Sequence, residues 1–402
     1  MNLQKVLKDE IELISVDEII VDKIEKVIDL FKERLEKELR KQGIKAGMFV
    51  GGSFAKGTIV KQDEYDIDIF VRFEKKGDIG DILGRIINKI CKEAELKCEK
   101  VHGSRDYYKI FITKGIVFEI IPVLSIKKPA DAENVTDLSY FHVNYVRRKA
   151  VRLGNEIRLA KQFCHAQGVY GAESYIQGFS GYALECLIIY KGFLKMLREI
   201  AKFGNDKLII DPAKHYKNKN EIMINVNASK LKSPIVLIDP TYKERNALAA
   251  LSQESFSKFQ KASRDFLSRP SLKFFEEQEI SVEEISKFAK RKRAEFLHVV
   301  LHTDRQAGDI AGTKLKKFHY FLENEIRKYF ELLLHRFSYD DNQKADVYLV
   351  VKRKKEIIRK GPPLGMRKET KIFKRLYKNT FVKDDRVYTR IKLKMSGKEF
   401  IK

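Results

Sequence analysis

The chain carries the turn Gly51-Gly52-Ser53-Phe54-Ala55-Lys56-Gly57-Thr58 and, soon after, the apolar run Tyr65-Asp66-Ile67-Asp68-Ile69-Phe70. In a strand, residues two apart share a face, so Asp66 and Asp68 point the same way. Two like charges on an apolar strand repel, and a divalent cation between them relieves the repulsion. The glycines, Gly52 among them, free backbone N–H groups to cradle phosphate oxygens, and Ser53 and Lys56 add side-chain donors. A third acid, Glu119, sits in Gly115-Ile116-Val117-Phe118-Glu119-Ile120-Ile121-Pro122. It too is a carboxylate in a strand-like apolar run, where an unpaired charge is costly to bury. An isolated Asp-x-Asp is usually a solvated strand edge, and an isolated Gly-Gly-Ser a plain turn. Here their order and close spacing connect them. A phosphate cradle followed by three strand-borne acids points to metal-dependent chemistry on a nucleoside triphosphate.

Such residues need a sheet to hold them. Residues 48–50 read as a short strand running into the glycine turn, 65–73 as the strand of the paired acids, and 107–113 and 116–124 as a hairpin. Apolar periodicity predicts helices over 16–41 and 79–98. Together these make a mixed sheet with helices over 1–137. The stretch 138–269 is mainly helical, with helices over 155–167, 182–203 and 254–267 and a short strand near 233–240; Arg269-Pro270 marks its end. The remainder, 270–402, reads as mixed: helices over 282–296 and 313–337, strands over 345–351 and 388–394, and a turn at 361–365. The fold class is α+β in three parts.

A length of 402 residues exceeds one compact core, and a hydrophobic content of 44% is that of a globular protein. The net charge is +24, and the last 62 residues hold 20 Lys and Arg against 7 Asp and Glu. That asymmetry, interleaved with tyrosine and phenylalanine, suits a polyanionic partner; the competing reading is a set of solvated lysine faces. No run approaches the ~20 apolar residues of a membrane span, so no membrane partner is expected. The acidic, amphipathic start lacks the pattern of a signal or transit peptide, which suggests the cytoplasm. Cys91, Cys98, Cys164 and Cys186 form no Cys-x-x-Cys pair and read as reduced core thiols. Cys91 and Cys98 are expected to share one helix face.

The Gly-Ser, Asp-x-Asp and third-acid series resembles the nucleotidyltransferase superfamily, whose catalytic head is polymerase beta-like. Further residues sharpen this: Lys161 in Arg158-Leu-Ala-Lys-Gln-Phe163, then Gly168-Val169-Tyr170-Gly171-Ala172-Glu173, Gly178-Phe179-Ser180-Gly181-Tyr182, Ile238-Asp239-Pro240 and Arg245-Asn246-Ala247. This series resembles the archaeal-type (class I) CCA-adding tRNA nucleotidyltransferases. It is specific over about residues 1–270 and weaker beyond. The resemblance implies a catalytic head over 1–137, a helical neck that reads the nucleotide base over 138–269, and an α+β body and tail that bind tRNA over 270–402. It implies template-independent addition of C, C and A to the tRNA 3′ end from CTP and ATP. Asp66, Asp68 and Glu119 would hold two Mg²⁺ ions. Gly52, Ser53, Lys56, His142, Lys161 and Tyr170 would bind the triphosphate, and Arg245 would read the base edge. The basic C-terminal region, with Lys352, Arg353, Lys354 and Lys355, would lie along the acceptor arm and elbow. The oligomeric state, monomer or homodimer, stays open.

Some positions depart from the family pattern. Glu119 stands where Asp is more common, and Lys56 where Arg is common, which keeps charge but loses the bidentate fork. The chain ends at Lys402, before a further stretch found in relatives, which would weaken the grip on tRNA unless the C-terminal charge compensates. Two other functions compete: another RNA-tailing or oligonucleotide-synthesising activity from the same site, such as poly(A) addition, and a non-catalytic RNA-binding protein on this fold. The intact acids argue against the latter.

Overall fold

Helix α1 (Leu3–Ile14) begins at Asn2, whose side chain accepts a hydrogen bond from Gln4 N. Asp17 caps α2 (Glu18–Lys41) in the same way, and Ile24, Ile28, Phe31, Leu35 and Leu39 bury one stripe of that helix. The structure is a computed structural model describing residues 2–204, 207–277, 280–340 and 342–401. After α2 come β1 (Ala46–Val50), α3 (Gly52–Ala55), β2 (Tyr65–Phe73), α4 (Ile79–Glu93), β3 (Cys98–Val101), β4 (Tyr107–Thr113) and β5 (Ile116–Leu124). The sheet order is β1-β2-β5-β4-β3, with β2 and β5 parallel and the other neighbours antiparallel. On β2, Ile67 and Ile69 are fully buried against α2 and α4, which leaves Asp66 and Asp68 on the opposite face.

The helix expected over 79–98 is shorter. It ends at Glu93, Glu95 turns the chain with φ of 54°, and Cys98 opens β3. Cys91 and Cys98 therefore sit on different elements rather than on one helix face. Burial, with the Cys98 thiol nearby, pushes the Cys91 thiol up to about 12.

The helical part contains α5 (Ser139–Lys149), α6 (Gly154–Ala166), α7 (Gly181–Lys191), α8 (Phe193–Lys202), β6 (Leu208–Ile210), α9 (Lys219–Asn225), β7 (Ile235–Asp239), β8 (Tyr242–Asn246) and α10 (Gln253–Ser268). The single helix expected over 182–203 is two helices broken at Gly192, which has φ of 77°. Apolar residues continue on both sides of the break, so periodicity alone hides it. The Glu156 carboxylate accepts from Phe193 N at 2.7 Å and caps the second helix. At the centre, Phe163 touches the rings of Phe193, Phe259, Phe266 and Phe275, all with centroids within 6.0 Å. The sheet core and this aromatic core belong to one compact unit, Met1–Ala172 with Ile176–Gln278. It passes the boundary expected at 269 because Phe274 and Phe275 pack into it.

The second unit comprises Glu173–Tyr175 and Glu279–Lys402. Its elements are α11 (Val282–Lys292), β9 (Glu295–His302), α12 (Asp309–Tyr329), β10 (Phe330–Tyr339), β11 (Lys344–Arg353), β12 (Glu356–Pro363), α13 (Arg367–Leu376), β13 (Thr380–Lys383), β14 (Arg386–Lys392) and α14 (Gly397–Ile401). They include two three-stranded sheets, β10-β11-β9 and β12-β14-β13. Both helices expected here are cut short. Arg293, with φ of 49°, ends α11 before β9, and α12 gives way at Phe330 to a strand paired with β11. No glycine or proline separates α12 from β10, so tertiary pairing decides the switch. The turn expected at 361–365 begins later, because β12 runs to Pro363 with an irregularity after Lys360. No helix among the described residues is long and apolar enough to cross a membrane.

Candidate active site

The parallel register of β2 and β5 sets Asp68 directly beside Glu119. Asp66 lies two residues back on the same face. Strand β4 pairs antiparallel with β5 and sets Lys109 opposite Glu119. The Lys109 ammonium is 3.0 Å from Glu119 and 3.7 Å from Asp66. Burial works against that charge, but the Glu119 and Asp66 carboxylates raise its pKa nonetheless. Burial, and then the Glu119 charge, push the Asp68 carboxyl up to about 7. Burial raises Glu119 as well, and the same burial, followed by Glu119, pushes the Tyr107 hydroxyl up to about 12. Three carboxylates with one lysine among them leave negative charge uncompensated in a partly buried place. This all-oxygen set, with its ionisation held back until a cation arrives, fits a hard divalent metal.

The glycine turn presses against the acids. Gly51 N donates to Asp68 O at 2.8 Å. Gly52 has φ of +60°, and a Cβ there would stand 1.8 Å from Asp68 Oδ2. Ser53 is half-buried on α3, and its carbonyl accepts from Thr58 N.

Two of the sequence-identified lysines meet at a residue that sequence reading passed over. Glu185, fully buried on α7, pairs with Lys56 at 2.8 Å and Lys161 at 2.9 Å. The Thr58 hydroxyl donates to Glu185 Oε1 at 3.2 Å and accepts from Lys161 Nζ at 3.0 Å. Burial alone pushes the Glu185 carboxyl up, yet Lys161 and Lys56 hold it below its usual value. Lys56 and Lys161 also act on Asp68, countering the burial that raises it, so this pair belongs to the same field as the acids.

A second network gathers at Asp239, at the end of β7. His142 Nε2 lies 3.0 Å from Asp239 Oδ2, and Arg245 from β8 donates to the same oxygen at 2.8 Å. The Tyr182 hydroxyl and both Thr241 donors take the other oxygen, each at 2.8 Å. His142 stacks on Tyr182 with ring centroids 3.8 Å apart. Burial favours a neutral Asp239, but its bond to His142 and the Arg245 charge hold it well below the usual carboxylate range. Burial lowers His142, against the pull of Asp239.

Tyr170 is half-buried and stacks on His165 with centroids 4.0 Å apart. Burial, and then the Lys161 charge, lower His165 to about 4. Arg245 and Tyr242 also line a cleft of about 370 Å³ with Asn134, Ser180 and Lys230. Lys352, Arg353, Lys354 and Lys355 belong to the second unit, at the end of β11 and in the turn after it. There Arg353 donates to Lys394 O and Lys354 to Arg327 O, while Lys352 and Lys355 are exposed.

Sequence reading missed Lys109, Tyr107, Glu185 and the roles of Asp239 and Tyr182. A signal existed for Glu185: an acid inside the apolar helix sequence Gly-Tyr-Ala-Leu-Glu-Cys-Leu-Ile-Ile requires a partner. Lys109 gave a weaker one, because only strand register reveals which acid it faces.

Comparisons with known proteins agree with this architecture. Residues 32–126 match the model of the nucleotidyltransferase domain, and residues 155–276 that of the tRNA nucleotidyltransferase second domain. The CCA-adding enzyme of Nanoarchaeum equitans (strain Kin4-M) is 35% identical over 348 residues, 85% of this chain and 83% of that protein. The CCA-adding enzyme of Methanocaldococcus jannaschii is 30% identical over 351 residues, 84% of this chain and 76% of that one. Among solved structures, a cytoplasmic RNA terminal U-transferase superposes with a TM-score of 0.53 at 13% identity. It covers 69% of this chain and 99% of that one. A likeness so low in identity speaks for the shared fold alone. Sequence similarity over most of both chains, with both domains in order, makes this chain a member of the archaeal-type CCA-adding tRNA nucleotidyltransferase family.

Proposed function

We propose that this protein adds C, C and A to the 3′ end of tRNA, taking CTP and ATP and releasing pyrophosphate. The observation that carries the reading is the register of Asp66 and Asp68 against Glu119, beside the Lys56–Glu185–Lys161 pairing. In this reading Asp66, Asp68 and Glu119 hold Mg²⁺. Bound there, the ions supply Lewis acidity, lowering the pKa of the attacking 3′-OH and neutralising the triphosphate.

The protein's own groups position the reactants. The Gly51-Gly52 turn keeps the nucleotide phosphates close to the acids, and Ser53 offers donors to them. Glu185 uses only part of each ammonium's three-donor capacity, so Lys56 and Lys161 retain donors for triphosphate oxygens. Held on a buried carboxylate, the lysines reorganise little when substrate arrives, which is how preorganised charge lowers a barrier. His142 and Tyr170 contribute further contacts. Asp239 fixes the Arg245 guanidinium, so the remaining donors of its fork face the base edge in a set direction. A catalytic head over 1–137, a base-reading neck that continues from 138 past 269 to the end of the first unit, and a tRNA-binding body and tail beyond it divide this work. The basic body lies along the acceptor arm and elbow, and the reaction takes place in the cytoplasm.

The deciding experiment incubates purified protein with tRNA lacking its 3′ CCA and each nucleoside triphosphate in turn. Incorporation of two C residues from CTP and then one A from ATP, with UTP and GTP rejected and chelator abolishing activity, is the expected result. Long tracts of A or U would instead assign a different tailing activity to the site.

A further inference from the structure

His319 and Glu323 stand one turn apart on the buried face of α12, the spacing that sets helical side chains side by side. His335 approaches them from β10, the strand that follows the helix. His319 Nε2 is 2.7 Å from Glu323 Oε1, and His335 Nδ1 meets the same oxygen. One donor atom from each residue can be drawn so that all three lie within 4.8 Å of one another. His319 is only 1% exposed and Glu323 7%.

Buried polar atoms almost always have a hydrogen-bond partner. Here Glu323 Oε1 and His319 Nδ1 are both buried and hydrogen-bond to no described residue. Two imidazole nitrogens thus crowd one carboxylate oxygen. The other carboxylate oxygen lies 3.8 Å from the Arg327 guanidinium, which orients it, as outer partners orient the ligands of metal sites. The Phe337 ring packs 5.3 Å from His319 and dries one wall.

We propose that His319, Glu323 and His335 bind a divalent transition-metal ion, zinc by donor set, and that the ion ties α12 to β10. Two imidazole nitrogens and one carboxylate oxygen suit zinc, whereas magnesium prefers oxygen ligands alone. This separates the site chemically from Asp66, Asp68 and Glu119. Zinc's tetrahedral preference takes its fourth ligand from water on the side of His335, the most exposed of the three.

The test titrates full-length protein with Zn²⁺ in excess Mg²⁺, which saturates the oxygen-only site. One Zn²⁺ per chain should bind and raise the melting temperature. His335→Ala removes a half-exposed ligand, and Glu323→Gln keeps the shape of the side chain. Each should weaken Zn²⁺ binding by at least about tenfold and abolish the thermal shift, with wild-type circular dichroism. Co²⁺ in place of Zn²⁺ should give a visible ligand-field spectrum that His335→Ala loses. If the wild-type chain binds no Zn²⁺ in excess Mg²⁺, or if His335→Ala binds it unchanged, the site is overturned. The cluster is then an ion network closed by Arg327.

Discussion

Four residues of the first unit set the conditions for the proposed chemistry. Gly52 is there because any side chain would collide with Asp68. Gly52→Ala should therefore lower the rate of nucleotide incorporation by about 100-fold, the scale of a misplacement near 1 Å, and steady-state kinetics would register it. Asp66→Ala and Asp68→Ala should abolish incorporation while leaving the melting temperature equal or higher, since each removes a like charge from the cluster. Wild-type turnover in either variant would remove these acids from the reaction. Glu185 has the opposite character. It is fully buried between two lysines whose side chains are themselves 10% and 4% exposed. Glu185→Gln leaves both ammonium groups without their counter-charge, and denaturant titration should show a loss of about 3–5 kcal/mol.

At the level of elements, the break between α7 and α8 and the acid on α1 make the testable points. Gly192 has φ of 77°, and a Cβ there would also meet Glu156 Oε2 at 2.9 Å. Gly192→Ala should cost about 1–3 kcal/mol, read from chemical denaturation. Helix α1 buries Glu10, whose carboxyl is pushed up to about 7 by burial and then by Glu276. Raised above its unfolded value of 4.5, the group binds its proton more tightly in the fold. Stability is thus fully present below that unfolded value and falls as pH rises toward 7. Glu10→Gln should leave the melting temperature nearly unchanged at about pH 4 and raise it at about pH 8. Equal effects at both pH values would show that the carboxyl is not held protonated.

Across the whole molecule the dominant quantity is charge, +24 in total and weighted to the C-terminal unit. Arg353 and Lys354 spend donors on backbone carbonyls of their own unit, whereas Lys352 and Lys355 are exposed. Lys352 and Lys355, exposed as Arg353 is but without such a bond to a backbone carbonyl among the described residues, should carry the phosphate contacts. Lys352→Ala with Lys355→Ala should weaken tRNA binding alike for tRNAs of different sequence, because an A-form helix is gripped by shape and backbone. The slope of log affinity against log salt should become shallower by about 1 for each phosphate no longer neutralised, while CTP binding stays the same. An unchanged slope would assign these lysines to solvent.

What the sequence determined on its own was local and periodic. The alternation of acids and isoleucines in Tyr65-Asp66-Ile67-Asp68-Ile69-Phe70 implied a strand with both carboxylates on one face, and β2 has that form. The stripe of α2 and the mixed sheet followed from the same kind of pattern, whereas the family resemblance rested on short motifs such as Gly168-Val169-Tyr170-Gly171-Ala172-Glu173. What only the tertiary structure decided was non-local. Pairing of β4 with β5 chose Lys109 as the cation beside Glu119, and Glu185 joined Lys56 to Lys161 across more than a hundred residues of chain. Helix ends went the same way: residues 330–339 have no breaker before them, and they became a strand because β11 offered a partner. Short-range spacing fixes which face a side chain takes, but register and packing decide what it meets there.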